Sequence, residues 1–180
     1  MTNNAVSQQQ DQRPLTGMFR SQESAEQAYN SLRERGYTDE EINVMMSDKT
    51  RDSYYGEGRP ETELGSKALE GTGAGAAIGG TLGAIIGGVA AIGTNVILPG
   101  LGLVVAGPLV AALVGAGAGG LTGGLAGALI GWGIPEEHAK VYESGIKDGG
   151  TVIGVRPRSD EDSDYFEKEW KNYHGESIYR

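Results

Sequence analysis

The 180-residue sequence predicts an α+β fold in which a small module is interrupted by a long apolar insert. Three observations carry this expectation. Residues 71–135 hold no charged side chain and are bracketed by Glu70 and Glu136. Glycines inside that stretch fall on a four-residue ruler. The sequence on either side has ordinary charged composition and alternates between strand-like and helix-like patterning.

The N-terminal flank comes first. Residues 1–14 are polar and rich in Gln and Asn, which reads as a disordered tail. Leu15 to Phe19 predicts a short strand. Ser21 offers a helix N-cap, and Glu23 and Glu26 in or near the first turn suit the helix dipole. Ala25, Ala28, Tyr29 and Leu32 recur at helical spacing, and Gly36 is a natural stop. Ile42 to Met46 predicts a second strand. A right-handed crossover would make the two strands parallel, with the helix on one face. Residues 48–66 are polar with Gly and Pro and read as a linker.

The C-terminal flank mirrors this pattern. Pro135 sits at an N1-like position with Glu136 and Glu137 behind it. A helix to about Lys147 follows, with Val141, Tyr142, Gly145 and Ile146 as its buried face. Gly149 and Gly150 stop it, and Thr151 to Val155 predicts a third strand. Segments 15–47 and 134–158 therefore form one split module, β-α-β…α-β, of ferredoxin-like type. Residues 159–180 form an acidic and aromatic tail. Phe166, Trp170 and Tyr173 fit one face of a short helix from about Asp162, which either caps the core or docks a partner.

The insert, residues 67–133, carries the most specific signal. Residues 71–135 hold 21 of the 31 glycines. Gly71, Gly75, Gly79, Gly83 and Gly87 form one run, and Gly115, Gly119, Gly123, Gly127 and Gly131 form a second. Glycine at every fourth position of a helix lets a second backbone approach closely. Ten such glycines cost on the order of 10 kcal/mol in an aqueous helix, so packing or a bilayer has to offset them. Paired antiparallel, the two runs place a hairpin apex at Leu101, inside Pro99-Gly100-Leu101-Gly102. The expectation is an antiparallel glycine-zipper hairpin crossing at about −40 to −50°. Leu125, Leu129 and Trp132 would face away from its seam, with Trp132 at a membrane-interface level.

The chain carries a net charge of −9 and no cysteine. The charge argues against a nucleic-acid partner and against simple attraction to anionic lipid. The missing thiols remove disulfides and thiolate chemistry. No basic segment followed by an apolar one opens the chain, so the charged parts are expected in the cytoplasm.

No motif points to catalysis. His138 and His174 lack the spacing of a metal pair. Asp160, Asp162 and Asp164 open like a calcium loop, but Tyr165 and Lys171 stand where Gly and Glu are required. The run Gly71 to Gly80 resembles a phosphate loop without its Lys-Ser/Thr pair. Neither a cofactor, a metal nor a small-molecule substrate is indicated, and the expected protein is not an enzyme.

Residues 16–45 (TGMFRSQESAEQAYNSLRERGYTDEEINVM) and 133–157 (GIPEEHAKVYESGIKDGGTVIGVRP) resemble the bacterial general, heat-induced stress proteins of the YflT-like type. Relatives of that type look as if they carry a Gly/Ala-rich insert at the same place. The resemblance implies a non-enzymatic stress-response protein and transfers no catalytic residue. Two functional readings follow. In the first, the zipper hairpin associates with or inserts into the inner (plasma) membrane, and the protein self-associates there. In the second, a soluble ferredoxin-like regulatory or ligand-binding module forms homo-oligomers through the hairpin. A pore built from several hairpins is disfavoured by the scarcity of polar residues to line it.

Overall fold

The computed structural model describes residues 13–55, 95–98, 102–110 and 124–180. Their elements in chain order are β1 (Leu15–Phe19), α1 (Gln22–Glu34), β2 (Ile42–Ser47), α2 (Asp48–Tyr55), β3 (Asn95–Leu98), β4 (Leu103–Ala106), α3 (Gly124–Gly131), α4 (Glu136–Lys147), β5 (Thr151–Val155), α5 (Asp160–Asn172) and β6 (Glu176–Tyr179). The class is α+β, as the sequence predicts. The strands form one sheet in the order β3-β4-β2-β5-β1-β6, and every pairing is antiparallel.

β1 and β2 both pair with β5, which lies between them. They therefore run in the same direction, as the crossover argument requires, without touching. Along each strand the side chains alternate between two cores. Leu15, Phe19, Ile42, Val44, Met46, Val104, Ile153 and Val155 face α1 and α5. Met18, Met45, Leu103, Val105 and Val152 face α3 and α4. Both faces are covered, which explains why the central strands read as near-continuous apolar runs.

The helix ends follow one rule. α1, α3, α4 and α5 each finish with a left-handed residue and a pair of hydrogen bonds that close the last turn. Tyr37 N–H donates to Leu32 O and Gly36 N–H to Arg33 O. Ile134 N–H donates to Leu129 O, Gly150 N–H to Gly145 O, and Gly175 N–H to Trp170 O. The left-handed residue is Gly36, Gly133 or Gly149 in the first three, and His174 (φ 60°) in the fourth. At the starts, Ser21 and Ser159 cap α1 and α5 by accepting from the N–H groups of Ser24 and Asp162.

Several expectations are corrected. Asp48–Tyr55, expected in a linker, is a helix capped by Ser47, whose Oγ accepts from Thr50 N–H. Pro135 is the N-cap of α4 and not its first helical residue. Val141 is 44% exposed, whereas Tyr142, Gly145 and Ile146 are buried. The 159–180 segment is no tail. Its helix begins at Asp160, it adds the edge strand β6, and Phe166 and Trp170 are fully buried. That burial overturns the docking alternative for Phe166 and Trp170 and supports the core-capping one.

The middle of the insert differs most. The expected apex region of the hairpin, Asn95 to Pro108, holds an antiparallel pair of strands, β3 and β4, with Leu98 opposite Leu103 and Asn95 opposite Ala106. The centre of that pairing falls beside Leu101. β-branched Val96, Ile97, Val104 and Val105 favour strands. The glycines Gly71, Gly75, Gly79, Gly83, Gly87, Gly115, Gly119 and Gly123 lie outside the described residues.

Candidate functional site: the crossover between β2 and β5

The long connection between β2 and β5 contains the glycine-rich stretch, and its attachment points define the candidate site. α2 begins at the residue after β2, and Asp48 N–H donates to Gly102 O at 2.9 Å. β3 returns onto β4, and β4 pairs with β2 from Val44 to Ser47. The chain therefore leaves the sheet after β2 and α2 and re-enters it at β3.

The exit from β4 is locked. Gly107 has φ +94°, and a Cβ there would lie 2.1 Å from Ile42 O. Leu109 N–H donates to Asn43 Oδ1 at 2.6 Å, and Asn43 Nδ2 donates to Gly154 O at 3.4 Å. Asn43 is fully buried, so these partners satisfy a side chain that would otherwise be costly. Leu109 itself is buried against the α3–α4 side of the sheet.

The chain rejoins the described residues at α3. Leu125, Leu129 and Trp132, expected to face away from the helix seam, are buried in the module core at 1%, 0% and 7% exposure. Gly154 makes room for Trp132, since a Cβ there would lie 2.9 Å from the indole. The Arg156 guanidinium sits 5.6 Å from the indole ring and donates to Trp132 O at 3.3 Å. Of the ruler glycines only Gly127 and Gly131 are described. A Cβ on either meets nothing within 4 Å among the described residues.

Residues of the charged flanks have structural tasks. Tyr37 is buried; its hydroxyl donates to Asp162 Oδ2 at 2.7 Å and accepts from Arg158 N–H at 2.7 Å. Arg35 Nε donates to Asp162 Oδ1 at 2.5 Å, and Arg158 pairs with Glu41 at 2.8 Å. Burial opposes ionisation of Asp162, but the bonds from Tyr37 and Arg35 outweigh it and hold the carboxyl below its ordinary range. Glu41 is likewise held low: burial raises it, and Arg158 and Thr38 more than compensate. This network ties α5 to the end of α1.

A second polar bridge crosses the other core. The Tyr142 hydroxyl donates to Ser177 O at 2.6 Å and meets Thr16 Oγ1 at 2.9 Å. Burial pushes this phenol up to about 12. It stays neutral at physiological pH and joins α4, β1 and β6. His138 is half-buried, with its ring centroid 4.9 Å from that of Tyr179.

No group of three or more His, Asp or Glu side chains that could hold a metal occurs among the described residues. Among the described residues, no helix is long and apolar enough to cross a membrane. No family model, curated protein or solved structure matches the chain.

Proposed function

We propose that this is a non-enzymatic protein of the general stress type that works by self-association through its glycine-ruled crossover. In this reading the core is a ferredoxin-like module. Strands β2-β5-β1-β6, with α1 and α5 on one face, have the order of a split β-α-β fold. The connection that is short in the compact form is here enlarged to carry α2, β3, β4, α3 and α4. The second helix of the core is α5, and α4 covers the opposite face.

One observation carries the proposal: the apolar stretch is stitched to the sheet in its middle, through β3 and β4. A helical segment crosses a roughly 30 Å hydrocarbon core with about 20 residues. Chain that departs from and returns to one sheet needs an even number of passes. The uncharged residues 71–94 suffice for one helical pass, and residues 111–123 for none. A glycine ruler that does not cross a bilayer earns its place through close contact between helices.

Light scattering on the full chain beside Gly79→Leu and Gly123→Leu variants tests this. The proposal expects an oligomer in the parent and a smaller species in both variants. The same mass in all three would overturn it. The absence of charge from residue 71 to 135 supports a second reading, in which the stretch also rests on lipid without spanning it. Flotation with vesicles reports on that: recovery in the vesicle fraction supports it, and recovery wholly below contradicts it.

A further inference from the structure

The two edges of the sheet are built differently. β6 carries Glu176 and is followed by Arg180, which pairs with Asp164 and Glu167. Its register against β1 shifts between Thr16 and Met18, and Ser177 has a positive φ of 49°. Charge, irregular register and a twisted backbone are the devices that keep an edge from accepting another strand. β3, at the other edge, is Asn95-Val96-Ile97-Leu98, with no charge, no proline and regular pairing to β4 on its inner side. Among the described residues nothing pairs with its outer side.

We propose that the outer edge of β3 is a docking strand for the same strand of a second copy. The two strands would run antiparallel about a two-fold axis between Val96 and Ile97. The choice of occupant rests on charge. A chain of net charge −9 repels its own kind over most of its surface. β3 and β4 are an uncharged part of that chain, so self-pairing there sets no like charges opposite one another. A two-fold contact closes on itself, and the guarded β6 edge keeps the sheet from growing further. This contact is independent of the glycine ruler.

Sedimentation equilibrium on the full chain tests it, with Gly79→Leu alone and combined with Val96→Lys or with Ile97→Lys. Adjacent strand positions fall on opposite faces of the sheet, so the two lysines probe the same edge from different sides. Dimerisation should persist in Gly79→Leu, and at least one folded lysine variant should weaken it by about tenfold or more. If Gly79→Leu is monomeric throughout, the ruler alone assembles the protein and the β3 contact is refuted. Unchanged dimerisation in the folded lysine variants refutes it as well. Hydrogen exchange gives an independent readout. Amides of residues 95–98 should gain protection as concentration rises. Equal protection in the dilute monomer would mean that the chain's own residues cover the edge, and the proposal falls.

Discussion

Asn43 Oδ1 accepts a 2.6 Å hydrogen bond from the backbone N–H of Leu109, sixty-six residues further along the chain. This contact fixes where the apolar crossover leaves β4, because Gly107 just before it lies against the β2 backbone. Asn43→Leu leaves the Leu109 N–H buried without its partner. The expected loss is about 1–3 kcal/mol of unfolding free energy in urea titrations. A stability equal to that of the parent would show that the lock contributes nothing.

Two glycines should respond differently to alanine. At Gly107 the added methyl would strike backbone atoms, and φ is positive. At Gly145 it would strike the Met18 thioether, an adaptable side chain. Gly107→Ala should therefore be the more damaging, by at least about 1 kcal/mol. Thermal melts of both variants read the order directly.

His174 occupies the left-handed position that glycine takes at the ends of α1, α3 and α4. His174→Gly removes that strain and should raise stability by roughly 0.5–1 kcal/mol. A lowered melting temperature would indicate that the imidazole stabilises this turn in a way its backbone geometry does not reveal.

Acid should loosen α5. Asp162 and Glu41 have folded-state values below their ordinary 3.8 and 4.5. A depressed carboxyl contributes stability above its unfolded value and loses it as pH falls through the folded one. The decline should thus begin near pH 4.5 and continue downward. Asp162→Asn should flatten it, which urea titrations across pH 3–6 would show. An identical slope in the variant would remove Asp162 from the account.

Much of the module was legible because local signals and burial agree. The strands at 15–19, 42–46 and 151–155 announce themselves as apolar runs bounded by caps and glycines. Tyr142, Gly145 and Ile146 sit at one helical face and are buried together. The hairpin strands were hidden because Asn95 to Ala106 lies inside an apolar stretch whose glycine period dominates the reading. The missed cue was local: β-branched pairs at 96–97 and 104–105 around Pro99-Gly100. Leu125, Leu129 and Trp132 were misplaced for another reason. An outward apolar residue and a buried one look alike until the sheet beside them is known. The C-terminal strand Glu176–Tyr179 gave little signal, since polar residues dominate its surroundings and its pairing is long-range.

The central claim is that the middle of the apolar stretch stays on the same side as the module. The chain has no cysteine, so single thiols at exposed Asp52 and Pro108 report on it cleanly. Intact cells expressing each variant would be treated with a membrane-impermeant maleimide, before and after lysis. The account predicts that Asp52→Cys and Pro108→Cys always label together, whether before or after lysis. Labelling of Pro108→Cys in intact cells while Asp52→Cys stays protected would place the hairpin across the membrane and contradict it.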